Sequence, residues 1–141
     1  MRKLLPILLL WLPTSAFAAE ILVVVHASNP LTQLQPKQVV DLFMGRTASF
    51  PGGTPARTLD WNAGSPLRES FYKALTGKSE AQVDAYWATL IFAGRMSPPK
   101  QFPDAKSIIA AVAKDPNAIA YVPTQQLPKG VKVVMQLGGG S

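Results

Sequence analysis

The stretch Gly64-Ser65-Pro66-Leu67-Arg68 concentrates more binding chemistry than any other part of this 141-residue chain. Ser65 is a favoured helix N-cap, because its hydroxyl can accept from an orphan first-turn N–H. Pro66 then falls at the first helical position, where its missing N–H costs nothing and its fixed φ suits a helix. The N–H groups of Leu67 and Arg68 would face out of a helix end that carries partial positive charge. Gly64 has no side chain to block an approaching ligand. The Arg68 guanidinium can hold two oxygens of a phosphate or carboxylate. The chemistry this offers is oxyanion binding. The same residues also read as a capped surface helix whose Arg68 is solvated or paired with Asp60 or Glu69.

Other chemistries find little support. The chain has no cysteine and a single histidine, His26. Thiol catalysis, thiolate metal sites and histidine-cluster zinc sites are therefore excluded. Ser65 lies in no Gly-x-Ser-x-Gly elbow, and no pair of carboxylates is spaced for glycoside chemistry. The sequence reads as a non-enzyme without cofactor or metal. His26, at the end of the first predicted strand, can face the crevice outside the strand ends or be a plain strand-end residue.

The elements that would position this loop can be read in order. Ile21-Leu22-Val23-Val24-Val25 is an unbroken apolar run, as in a strand covered on both faces. Pro36 opens a helix to Phe43, with Val39, Val40 and Phe43 inward and Gly45 as its stop. Residues 46–56, rich in Gly and Pro, form a surface loop. Arg57 to Trp61 is a strand that leads into the helix capped by Ser65, with Leu67, Phe71, Ala74 and Leu75 inward and Gly77 at its end. Ser79 and Gln82 form a capping box for a helix striped with Val83, Tyr86, Trp87, Leu90 and Ile91. Residues 94–103 read as a loop carrying Arg95 and Lys100. Asp104 caps a further helix whose inner face is Ala105, Ile108, Ile109 and Val112. Two strands follow, at 118–122 and 131–137. Trp61, Tyr86, Trp87 and Phe92 are expected in or near the core. The order β-α-β-α-α-α-β-β implies an α/β fold with a mixed or parallel sheet.

The first segment reads as an export signal. Arg2 and Lys3 precede an apolar run from Leu4 to Leu12, and Ala16-Phe17-Ala18 supplies small residues for signal-peptidase cleavage. The expected division is a signal peptide at 1–18, a domain at 19–137 and a low-complexity tail at 138–141. The expected address is the bacterial periplasm. The apolar run is too short for a permanent membrane anchor, so the mature chain is expected not to span a membrane. Of 14 Lys+Arg against 8 Asp+Glu, removal of Arg2 and Lys3 leaves 12 against 8, a charge of +4. That mild excess suits an anionic ligand, and with no basic cluster interleaved with aromatics nucleic acid is not expected.

Four stretches, in order, resemble a family. Leu42-Phe43-Met44-Gly45-Arg46, Gly64-Ser65-Pro66-Leu67-Arg68-Glu69-Ser70-Phe71, Phe92-Ala93-Gly94-Arg95 and Ala118-Ile119-Ala120-Tyr121-Val122 resemble motifs of the phosphate-binding proteins of ABC transporters. The second is similar to their phosphate loop, although Pro66-Leu67 stands where that family has Gly-Thr. The resemblance implies one lobe of a type II periplasmic-binding-protein fold, a mixed sheet flanked by helices. It implies that Ser65 and Arg68 hold phosphate oxygens, with Gly64 and Leu67 beside them. It implies that Asp60 accepts a hydrogen bond from a protonated oxyanion. The family's other lobe, with its own phosphate-binding serine, is not expected here; Ser28 and Asn29 are the local substitute. The expected partners are inorganic phosphate or a similar oxyanion, and an ABC transporter membrane component or another periplasmic protein. A lobe that has lost its ligand and serves a protein partner is the other expectation.

Overall fold

The computed structural model describes residues 20–94, 96–123 and 127–138. The signal-peptide segment, Arg95 and the end of the glycine-rich tail lie outside the described residues. Nine elements follow in order: β1 (Ile21–His26), α1 (Pro36–Phe43), β2 (Arg57–Trp61), α2 (Pro66–Thr76), α3 (Glu80–Phe92), β3 (Lys100–Phe102), α4 (Ala105–Lys114), β4 (Ala118–Pro123) and β5 (Val131–Leu137). They build a mixed α/β fold around one five-stranded sheet, ordered β3-β2-β4-β1-β5. β2 is parallel to β3 and β4, whereas β1 runs antiparallel to both its neighbours, β4 and β5.

The apolar run of β1 is buried throughout because helices cover both faces of the sheet. Ile21, Val23 and Val25 join Ile119 and Tyr121 in a core closed by Phe43 of α1, Phe71 of α2 and Val83 of α3. Leu22 and Val24 join Ala118, Ala120 and Val122 on the other face, under Ile108 and Val112 of α4. Phe71 stacks on Tyr121 with ring centroids 3.7 Å apart, and Phe43 meets Phe71 edge-on at 5.0 Å. This aromatic column carries α2 on the sheet.

The expected caps form. Ser65 accepts from the Arg68 N–H, Ser79 and Gln82 make a reciprocal box, and Asp104 accepts from the Ser107 N–H. α2 ends at Gly77, whose φ of +74° is the left-handed conformation that glycine takes without strain. Two expectations need correction. β3 lies inside the segment read as loop; its Lys100-Gln101-Phe102 is too short and too polar to be recognised alone, and is ordered by parallel pairing with β2. Phe92 is 96% exposed and Ile91 50%, so the apolar stripe of α3 leaves the core before the helix ends.

Candidate functional site

The loop from Trp61 to Ser65 emerges at the C-terminal end of β2, the end of a parallel sheet where α/β proteins commonly bind ligands. Gly64 sits there with φ +87°, and a Cβ added to it would meet nothing within 4 Å. Ser65 starts α2 as expected, and Leu67 packs partly against the core.

Arg68 takes a different place from the one its sequence position implies. It is 3% exposed. Nε donates to Asp60 Oδ2 at 3.4 Å, Nη1 to Glu80 Oε1 at 2.7 Å and Nη2 to Asp84 Oδ1 at 2.9 Å. The guanidinium also lies over the Tyr72 ring, 5.4 Å from its centroid. The buried residues of α2 are Arg68, Phe71 and Tyr72. Arg68 and Tyr72, four residues apart, therefore share the inward stripe with Phe71.

Asp60, 1% exposed, is the other centre of this network. Its carboxylate accepts from the hydroxyls of Tyr72 at 2.7 Å and of Tyr121, from the Trp61 N–H at 2.8 Å and from Arg68. Four donors thus satisfy the oxygens of a carboxylate that is shut off from water. The Trp61 indole N–H donates to the Tyr121 carbonyl at 2.8 Å, which ties the strand end to β4.

The electrostatics of the loop follow from these pairings. One guanidinium faces the three carboxylates of Asp60, Glu80 and Asp84. Burial opposes the charged form of Arg68, but the Glu80 hydrogen bond and the Asp60 and Asp84 charges outweigh it and raise its affinity for the proton. Desolvation likewise opposes the Glu80 carboxylate, but the Gly64 N–H and the Arg68 guanidinium win and hold its pKa below the usual value. The Gly64 N–H donates to Glu80 Oε1 at 2.8 Å, and the Arg68 N–H is taken by Ser65 Oγ at 3.4 Å. The Glu80 carboxylate thus takes the Gly64 N–H and one guanidinium N–H of Arg68, and the Ser65 hydroxyl takes the Arg68 backbone N–H, all donors that the loop would offer an external anion.

Asp60, Gly64, Ser65, Leu67 and Arg68 are brought to one end of the sheet; Ser28 is not. Because β1 is antiparallel, its end at His26 lies beside Val131, at the start of β5, while its start at Ile21 lies beside Pro123. Ser28 therefore stands at the opposite end of the sheet from Ser65, about 16 Å away if only the five residues of β2 are counted at ~3.3 Å each. There the Ser28 hydroxyl lies 2.7 Å from His26 Nδ1, and the Ser28 N–H donates to the same nitrogen at 3.0 Å. Asn29 is buried and its Oδ1 accepts from the Leu31 N–H, forming a local turn. His26 shares this location and does not face the Ser65 loop.

Glu80, Asp84, Tyr72 and Tyr121 were not singled out in the sequence. The available signal was on α3: Glu80 and Asp84 are like charges at i and i+4, which repel unless a cation sits between them. Among the described residues, no group of three His, Cys, Asp or Glu is placed to hold a metal ion.

No protein-family model and no curated protein matches the sequence. Solved structures do match in fold. A candidate phosphate ABC transporter substrate-binding protein from Clostridium perfringens, solved with bound phosphate, superposes with a TM-score of 0.66 at 19% identity, over 82% of this chain and 45% of that one. The fold is that of one lobe of a phosphate-transporter binding protein. An ABC-type phosphate transport receptor from Vibrio cholerae gives 0.64 at 17% identity, and PstS from Borrelia burgdorferi 0.63 at 11%; each is matched over 82% of this chain and 46% and 47% of its own. The chain thus spans less than half the length of these phosphate-binding proteins. At such identities the likeness concerns the fold, and the lobe here is defined by its sheet order and its Ser65-capped helix. No helix among the described residues is long and apolar enough to cross a membrane.

Proposed function

We propose that this protein is an exported single-lobe module, built on the phosphate-binding-protein fold, that serves a protein partner in the periplasm and does not clamp free phosphate. The observation that carries this reading is the Glu80 carboxylate, which takes hydrogen bonds from both the Gly64 N–H and the Arg68 guanidinium. An incoming oxyanion would have to displace a tethered carboxylate that is already in place. It would then stand near Asp60 and Asp84, whose negative charges oppose it. A binding protein that closes two lobes on its ligand gathers donors from both, and this lobe offers few uncommitted ones. The partner class is an ABC transporter membrane component or another periplasmic protein. The export signal at residues 1–18 supplies the address.

A second reading has a specific observation behind it: the Clostridium perfringens structure of the same fold carries phosphate. On that reading Gly64, Ser65, Leu67 and Arg68 bind phosphate and Asp60 accepts a hydrogen bond from its protonated oxygen. Calorimetric titration of the purified protein with phosphate separates the two. The module reading expects no binding heat at millimolar phosphate; a measurable dissociation constant would replace it with the receptor reading.

A further inference from the structure

At the other end of β2 from Asp60 lies an open cleft of about 320 Å³, within the range of small-molecule sites. Its walls include Leu42, Met96, Pro98 and Pro99, and the Trp87 ring lines it as well. Trp87 is 6% exposed, and its indole N–H has no hydrogen-bond partner among the described residues. A buried N–H without an acceptor retains its full desolvation cost, and this nitrogen lies beneath the wall's surface with almost no accessible area.

The charges around the cleft have one sign. Among the described residues, its ionisable lining residues are Arg57 and Lys100, and no aspartate or glutamate lines it. Arg57 pairs with Asp115, which lies outside the lining. Lys100 is exposed on β3, with its ammonium 5.4 Å from the centre of the Phe102 ring. Thr47, Thr58 and Ser97 also line the cleft. Gly45 keeps the cleft's base in shape: a Cβ there would come within 2.7 Å of the Trp87 ring.

We propose that this cleft is a binding site for a small carboxylate with a compact apolar body. The body lies against Trp87, Met96 and the two prolines. The carboxylate faces Lys100 and Arg57, and the Trp87 ring, part of the wall against the ligand's body, reports its arrival. The site is separate from the Ser65 loop, at the opposite end of the strand, and stands or falls independently of the proposed docking role.

The test is titration of the ¹⁵N-labelled protein with 3-phenylpropionate and with its neutral amide, followed through the indole N–H resonances. Trp61 is the internal control, since its indole N–H is already bonded to the Tyr121 carbonyl. In protein lacking residues 1–18, and so Trp11, a Trp87→Phe variant assigns the two signals; should it fail to fold, Trp61→Phe assigns them by elimination. The expected result is a saturable shift of the Trp87 signal with the carboxylate, and binding of the amide weaker by about tenfold, as loss of a charged hydrogen-bond partner implies. Lys100→Gln should weaken the carboxylate by a similar factor. A Trp87 signal that does not move at about 10 mM carboxylate, where a millimolar ligand saturates, overturns the site. Equal binding of the amide overturns the assignment of a carboxylate.

Discussion

Arg68 of α2 and Glu80 of α3 are joined by a 2.7 Å hydrogen bond between Nη1 and Oε1. The same oxygen accepts from the Gly64 N–H, so one carboxylate links the loop, the helix that follows it and the next helix. A guanidinium whose sequence position resembles that of a ligand-holding residue here works as a tie within the lobe.

Arg68→Ala should therefore be read first in stability. Removing one partner of a buried ion pair leaves the other charge stranded, typically at a cost of about 3–5 kcal/mol. Asp60, itself buried, is the charge left behind. Arg68→Lys should recover only part, because an ammonium cannot reach three carboxylates as a planar fork does. Urea denaturation measures both. A loss below about 0.5 kcal/mol for Arg68→Ala, the range of an ordinary surface change, would contradict the buried network.

The acid side of the stability curve should carry the signature of Glu80. Its pKa is lowered from 4.5 in the folded state; desolvation opposes this, and the Gly64 N–H and Arg68 overcome it. A depressed carboxylate stabilises the fold fully above its unfolded pKa, and that contribution is lost as pH falls through the folded value. Thermal melts should thus decline below about pH 4.5, and Glu80→Gln should decline less steeply over the same window. Asp41, lowered chiefly by its Lys37 hydrogen bond, and Asp104, lowered by the Ser107 N–H, contribute in the same direction in both proteins and cancel. Equal acid slopes would show that Glu80 is not held as described. Phosphate titration of Glu80→Gln is informative too: the receptor reading expects tighter binding once the carboxylate is gone.

At alkaline pH the tyrosines report on Asp60. Burial, and then the Asp60 charge, push the Tyr72 and Tyr121 hydroxyls above their ordinary value of 10. Groups raised on folding stabilise the native state below the unfolded pKa and lose that effect as pH rises through the folded value. Phenolate absorbance should show these two ionising only as the protein unfolds. Reversible titration of all three tyrosines near pH 10, with the fold intact by circular dichroism, would refute the buried Asp60–tyrosine contacts.

Export makes a prediction of its own. Protein recovered from the periplasm should have a mass that begins at Ala19 or Glu20, following the Ala16-Phe17-Ala18 site. An intact Met1 in that fraction would remove the proposed address.

Much of the fold was legible because local signals and burial agree. Ser65, Ser79 and Asp104 cap the helices that their types predict, and the unbroken run of β1 is covered on both faces. The α2 start was legible as geometry. What it binds was not, because the fate of Arg68 depends on Glu80 and Asp84, which belong to another helix. Sequence places an arginine at a helix start and cannot say whether tertiary packing will turn it outward or cover it. Ser28 fails as a companion of Ser65 for a similar reason: the direction of β1 is fixed by its partners β4 and β5. Phe92, apolar and in register with a helical stripe, extends past the body that would have covered it.

The position of β1 also sets the order in which this lobe can assemble. Ile21 pairs with Pro123 on one side and Leu137 on the other, partners at the far end of the chain. The most apolar strand of the sheet has no permanent neighbour until β4 and β5 are available, and contacts so distant in sequence slow folding because loop closure must precede their reward. A chain held short of β4 has no partner for that strand, and so cannot form the centre of this sheet.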